Sequence, residues 1–299
     1  MKIRFCGVRG SIPTPGKETV RYGGNTSCIE LTGREGTHLI FDAGTGIRTI
    51  GERFAPKSPM TIHLLLSHTH WDHIHGFPFF IPAYIPKNVI NIYGPPHFDK
   101  SLREIMAQQM VYSYFPVNSD ELSATINYRD LKEETFQVGE FNVKSKLMNH
   151  PVTCFGYRVT EGDVNIVYTG DNEPYYNFMA NSVVDENERE EIEQIVREQN
   201  ARTVEFARGV DVLICDAQYS DTEYPLKVGW GHSSTMHAID LAVKADVKHL
   251  VIFHHEPSRS DDKMDELLQY TINKYNEMPH KGLKITAAIE GDEIDIYAG

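Results

Sequence analysis

The sequence predicts an α/β protein folded as one domain over residues 1–299. Two observations carry this. Apolar runs of strand length alternate along the chain with stretches of helical periodicity. No internal repeat, low-complexity tract or linker-like stretch divides them. A chain of 299 residues is long enough to bury a sizeable core.

Lys2 to Cys6 alternates as a strand and runs into a glycine- and proline-rich loop, Gly7 to Gly16. Strands are expected from Cys28 to Leu31 and from His38 to Phe41, the second ending at Asp42. Asp42 reads equally as a turn former or as a partner orienting a ligand histidine. Ile62 to Leu66 is a buried strand in which His63 is structural. Phe77 to Pro86 is aromatic and too broken by proline for a regular helix. It reads as core or as an apolar wall of a pocket. Val89 to Tyr93 is a strand, and Lys100 to Val111 carries Leu102, Ile105, Met106 and Met110 at helical spacing. Residues 125–148 alternate as short strands, and Cys154–Thr160 and Val164–Thr169 pair across the turn Glu161-Gly162-Asp163. Asp185 to Arg208 is the longest helix candidate, acidic at its start as the macrodipole favours. Residues 174–208 are a candidate lid or dimer element. Val212 to Cys215 is a strand ending at Asp216. A helix capped by Ser233 or Ser234 turns Met236, Ile239 and Val243 inward. His249 to Phe253 is a strand, a helix follows from Asp261, and Leu283–Ile289 and Ile294–Tyr297 close the chain as strands.

The chemistry concentrates in Ser67-His68-Thr69-His70-Trp71-Asp72-His73-Ile74-His75-Gly76, directly after the Ile62–Leu66 strand. Imidazole is the commonest metal ligand, and carboxylate suits the same divalent ions. His68 and His70, two apart, leave one face of an extended strand end. Asp72 and His73 follow on the turn and can face a second point, while His75 is a candidate outer partner.

His68-x-His70-x-Asp72-His73 resembles the HxHxDH signature of the metallo-β-lactamase superfamily. The resemblance covers nearly the whole chain. It implies an αββα sandwich of two mixed β-sheets flanked by helices. It also implies ligands at three later strand ends, matched here by His150, Asp171 and His254. By that likeness His68, His70 and His150 hold one divalent ion, Asp72, His73 and His254 hold a second, and Asp171 bridges them. His255 is the alternative to His254; neighbours on a strand face opposite sides, and the family pattern Leu-x-Leu-x-His favours His254. The all-N/O donor set admits zinc, manganese or iron.

The Pro13-Thr14 and Asn25-Thr26-Ser27 steps resemble the N-terminal loop of the ribonuclease Z and phosphodiesterase branch, which makes Asn25 a candidate substrate contact. That branch carries an acid after a late strand and a Gly-His-Ser-Thr-like segment. Asp216 and Gly231-His232-Ser233-Ser234 are similar, with Asp where the branch often has Glu. The resemblance implies that Asp216 orients His232, which protonates the leaving oxygen, with Asp72 both ligand and catalytic residue. Arg259 is a candidate for the substrate phosphate.

The expected activity is hydrolysis of a small phosphodiester, a 3′,5′-cyclic nucleotide foremost, by a hydroxide shared between two ions. The alternatives are a ribonuclease Z-like endonuclease acting on transfer RNA and a thioester hydrolase of the glyoxalase II type. The usual ribonuclease Z inserts a long RNA-gripping arm between its ligand His and the bridging Asp. Here two strands and a tight turn fill His150 to Asp171. The formal charge of −13 also argues against a partner as long as an RNA. No apolar run approaches the ~20 residues of a membrane span, and Met1–Gly7 is too short and polar for a secretory signal, so a cytoplasmic protein is expected. Cys6, Cys28, Cys154 and Cys215 form no CxxC pair and read as buried thiols. The relatives it resembles commonly form homodimers.

Overall fold

A computed structural model describes residues 1–177, 185–280 and 282–298. Strands β1 (Lys2–Gly7), β2 (Cys28–Thr32), β3 (His38–Phe41), β4 (Thr61–Leu65), β5 (Val89–Gly94) and β6 (Thr125–Asp130) form one sheet. The other holds β7 (Thr135–Val138), β8 (Phe141–Leu147), β9 (Phe155–Glu161), β10 (Val164–Tyr168), β11 (Val212–Asp216), β12 (His249–Phe253) and β13 (Lys284–Ala287). β14 (Glu293–Asp295) returns to pair with β1. The strand orders are β14-β1-β2-β3-β4-β5-β6 and β13-β12-β11-β10-β9-β8-β7.

The period-2 alternation of apolar residues sorts side chains between two layers. In β3, Leu39 and Phe41 enter the core between the sheets, while Ile40 faces outward. In β12, Val251 and Phe253 point inward, and Leu250 and Ile252 outward. The outer face of the first sheet is covered by helix α1 (Ile47–Phe54), the short turns at Phe77–Phe79 and Ile81–Tyr84, and α3 (Leu102–Gln108). A single helical turn, α2 (Trp71–Ile74), follows β4. The second sheet is covered by the end of α4 (Glu186–Phe206), by α5 (Thr235–Lys244) and by α6 (Asp261–Glu277). The result is the αββα sandwich the resemblance implied. All four cysteines are free and buried. Among the described residues no helix is long and apolar enough to cross a membrane.

Three details differ from the sequence reading. Helix α1 carries only Ile47, Ile50 and Phe54 as a large apolar stripe, too sparse to stand out. On α5 the buried face is Thr235, Ala238, Ile239 and Ala242, because the close approach to the sheet selects small side chains. Met236 and Val243 lie at its flanks, partly buried. The last segment is a short strand followed by a 3₁₀ turn from Ile296. Of the lid or dimer candidate, residues 178–184 lie outside the described residues. Residues 174–177 are coil, with the Tyr175 backbone bonded to the Asn200 side chain, and the remainder is mainly α4, capped by the Asp185 carboxylate accepting from the amides of Asn187 and Glu188. Only Thr203 and Phe206 of that helix are buried.

Strand direction places the site. β3 and β4 are parallel, so Asp42 and Ser67 emerge at the same edge. β10, β11 and β12 are parallel, so Asp171, Asp216 and His254 emerge together. β8 runs antiparallel to β9, and β9 antiparallel to β10, which delivers His150 to that same edge. The Phe155 amide donates to the Ser67 carbonyl at 2.8 Å and joins the two sheets there.

Phe41 is fully buried and packs its ring 6.0 Å from Tyr157 and 5.3 Å from Tyr168, across the two sheets. Phe41→Ala is therefore expected to cost about 3–5 kcal/mol in urea unfolding. A loss below about 1 kcal/mol would contradict this sheet contact as a main support of the sandwich.

Candidate metal centre

The strand ends converge on a cluster of imidazoles and carboxylates. His68, His70, His150 and Asp171 form one group, and Asp72, His73, Asp171 and His254 a second. Within each, the donor atoms lie within 4.8 Å of one another. Asp171 belongs to both.

Partners on the far side of each ring decide which nitrogen is free. The His73 Nδ1–H donates to Asp42 Oδ2 at 2.8 Å, leaving Nε2 3.3 Å from His254 Nε2. His254 Nδ1 faces Gln218 Oε1 at 3.2 Å, and the Gln218 amide is oriented by donating to Glu256 at 2.8 Å. With His73 neutral, two lone pairs therefore face each other, with Asp72 and Asp171 oxygens 3.2–3.3 Å away. In the first group the His150 Nδ1–H donates to the Gly231 carbonyl at 3.0 Å, and its Nε2 stands 3.1 Å from His70 Nδ1. Ser67 Oγ lies 3.1 Å from His68 Nδ1, so His68 keeps Nε2 for the cluster. Among the described residues, His68 Nε2 and Asp171 Oδ1 are buried with no hydrogen-bond partner. Such orphans are costly unless a cation meets them. Donors about 2.1 Å from a tetrahedral zinc stand about 3.4 Å apart, close to the spacings here. The residues fit two divalent ions sharing Asp171.

Asp42 anchors this arrangement. It is fully buried, in the left-handed backbone region at φ +60°, and accepts from Ser67 N at 2.7 Å and the Tyr168 hydroxyl at 2.6 Å as well as from His73. Ser11 N donates to Asp72 at 2.6 Å, which brings the N-terminal glycine loop onto the site. Gly10 is required there, since a Cβ would stand 2.4 Å from the His254 ring.

Charge follows the geometry. Burial pushes the Asp171 carboxyl up, but His254, His73 and His68 outweigh it and hold it well below the carboxylate range. Burial disfavours a charged His73, yet Asp171, Asp72 and Asp42 raise its pKa well above the ordinary value. Burial lowers His150 to about 4 and holds His68 far below 6.5, so both keep a lone pair at neutral pH. The metal-free cluster thus holds a proton on His73 where a cation belongs.

Beside the cluster, His232 Nδ1 lies 2.9 Å from Asp216 Oδ2. Asp216 is fully buried and also accepts from Asn172 N at 3.0 Å. The His232 ring stacks on His254 at 4.9 Å. Burial would lower the pKa of His232, but Asp216 above all raises it from 6.5 to about 9.

All seven residues expected as ligands meet in these two groups. His254, and not His255, faces the centre; His255 Nε2 donates to the Ala288 carbonyl at 2.8 Å. His63 pairs with the Tyr93 hydroxyl, as a structural residue would. His75 bonds the Trp71 carbonyl of its own turn and is no outer partner of the centre. Two residues expected to contact substrate have protein partners instead. The Asn25 side chain is held by Glu290, whose half-buried carboxylate takes the Asn25 amide and backbone N–H at 2.9 and 2.5 Å. Arg259 is buried, with its guanidinium on the Gln218 carbonyl at 2.8 Å and on Glu223. It secures the backbone of the residue that orients His254. Ser11, Ser67, Tyr168 and Gln218 went unnoticed in the sequence, because nothing local marks a residue that meets the site only through folding.

Metal-free protein titrated with zinc at pH 7 is expected to take up two ions per chain with release of protons, so affinity weakens as pH falls. Calorimetry in buffers of different ionisation enthalpy measures that release; uptake without it would contradict the proton placed on His73. Asp171→Ala should retain at most one ion in metal analysis.

A family model described as the beta-lactamase superfamily domain matches residues 37–255. Ribonuclease Z of Bacillus thuringiensis (strain Al Hakam) is 21% identical over 297 residues, covering 90% of this chain and 93% of that protein. The crystal structure of the metallo-beta-lactamase fold protein YhfI from Bacillus subtilis aligns with TM-score 0.68 and 18% identity over 98% of both chains. Human tRNase Z, short form, aligns with TM-score 0.64 and 20% identity over 99% of both. With its sandwich, its convergent strand ends and its doubled ligand set, the chain belongs to the metallo-β-lactamase superfamily as a metal-dependent hydrolase.

Proposed function

We propose that the protein is a dinuclear phosphodiesterase acting on a small phosphodiester, with a 3′,5′-cyclic nucleotide as the substrate class. The observation that carries this reading is the Asp216–His232 pair set against the ligand cluster. The ions, zinc, manganese or iron, would supply an ionised water at neutral pH and neutralise phosphoryl charge. That alone serves many esters. A sugar alkoxide is a poor leaving group, and a diester that expels one needs a proton delivered as the P–O bond breaks. Asp216 holds the Nδ1–H of His232 and favours the imidazolium, so the ring carries a donatable proton. Cations bound alongside would lower its pKa from about 9 toward the working range.

A ribonuclease Z-like activity is the second reading, favoured by the 21% identity to proteins of that name. Two features weigh for a small substrate. Between His150 and Asp171 the chain is β9, a tight turn and β10, with no room for an RNA-gripping arm. The formal charge is −13, the wrong sign for a phosphate-tracking surface. A thioester hydrolase would have no use for the Asp216–His232 pair, because a thiolate leaves without a proton.

The test offers metal-loaded protein cyclic AMP, cyclic GMP and a precursor transfer RNA side by side. Ring opening of a cyclic nucleotide is expected, and His232→Ala should slow it by roughly 10²–10⁴-fold. Cleavage of the RNA alone would overturn the reading. The pH profile gives a second check. His232 donates as the imidazolium, so the rate falls as pH rises through its pKa. Asp216→Asn removes the partner that raises this pKa, and the falling limb should move to lower pH. An unmoved limb would exclude His232 as the titrating acid.

A further inference from the structure

The loop that carries His232 is held by a carboxylate with no part in the ligand set. Glu173 lies two residues beyond Asp171 and is 2% exposed. Its Oε1 accepts from the Tyr224 hydroxyl at 2.8 Å and from Gly229 N at 2.9 Å. Its Oε2 accepts from Gly231 N at 2.9 Å and lies 3.1 Å from Gly229 N. These partners are neutral donors, and together they call for a group with acceptors only, which a carboxylate is and an amide is not. Gly229 and Gly231 sit at φ +87° and +86°, which aims both N–H groups at one carboxylate. A Cβ on Gly231 would stand 2.4 Å from His150 Nδ1, so the turn has no slack on that side. Beyond it the Ser233 hydroxyl donates to the Asn172 carbonyl at 2.6 Å, pinning the segment on both sides of His232.

We propose that Glu173 is a positioning residue for the proton donor: it clamps the Gly229–Gly231 turn so that His232 is presented to the leaving oxygen. The assignment rests on the phosphodiesterase reading above. It predicts an effect confined to substrates that need the proton. A misplaced donor costs a diester with an alkoxide leaving group, and costs little to one that expels p-nitrophenolate, stable without protonation.

The experiment compares Glu173→Gln with the parent protein on cyclic AMP and on bis(p-nitrophenyl) phosphate, at saturating manganese with bound metal measured on each sample. Glu173→Gln keeps the shape but turns an N–H₂ toward an N–H. A loss of about 10- to 100-fold in kcat on cyclic AMP is expected, with less than about 3-fold on the nitrophenyl ester. In a His232→Ala background the same substitution should do nothing further on cyclic AMP. Equal losses on both esters, no loss on either, or a full further loss without His232 would each overturn the proposal. Tyr224→Phe removes one donor and leaves Glu173 in place. It should show a smaller loss with the same leaving-group selectivity, and it carries the comparison if Glu173→Gln does not fold. If the parent protein opens no cyclic nucleotide, the phosphodiesterase reading has failed. Its failure is thereby separate from that of Glu173, which only the variant-to-parent ratios report.

Discussion

The structure depends on a concentration of negative charge where the two sheets meet. Asp42, Asp72 and Asp171 are buried within reach of one another through His73. Burying carboxylates is expensive unless charge or hydrogen bonds meet them. Asp42 is met by a serine amide, a tyrosine hydroxyl and an imidazole N–H. Asp72 and Asp171 are met mainly by imidazole nitrogens whose other ring nitrogen already has a partner. The arrangement makes sense as a holder for cations and poor sense as a core. Phe41 links these roles, packing against Tyr168 while the Tyr168 hydroxyl reaches Asp42.

The proton-donor apparatus hangs on the same edge of the second sheet. Asp216 and Asp171 end neighbouring parallel strands, so the residue that orients His232 and the residue shared between ligand sets are fixed by one backbone register. Glu173, just beyond, holds the turn that also receives the His150 N–H. Ligand geometry and proton delivery are therefore mechanically joined in a few residues. Arg9 and Arg259, both buried, serve the framework instead. Arg9 bonds the carbonyls of Gly23 and Arg259 and binds the N-terminal loop to the segment after His254.

Much of the site is legible in the chain because metal ligands sit at strand ends. A His or Asp at a strand's last residue or within three residues beyond it is a local pattern, and His68, His150, Asp171, Asp216 and His254 all have it. Asp42 has it too, although a turn-forming role was equally consistent with its neighbours. What the chain hides are contacts made between segments far apart. Gln218 meets His254 across 36 residues, and Glu173 meets Gly231 across 58. Arg259 and Asn25 show the converse: phosphate-binding and loop-lining types by sequence, they turned out to be tied to Glu223 and Glu290. Helix α5 misled for a packing reason, since the sheet admits its alanines more closely than its larger residues.

The central claim is that one carboxylate, Asp171, is shared by two ions. Electron paramagnetic resonance of the manganese-loaded protein tests it most directly. A shared carboxylate couples the two spins, and the account predicts the multiline spectrum of an exchange-coupled pair at full occupancy. An isolated six-line signal, unchanged as manganese is added to saturation, would contradict the shared site and the dinuclear chemistry built on it.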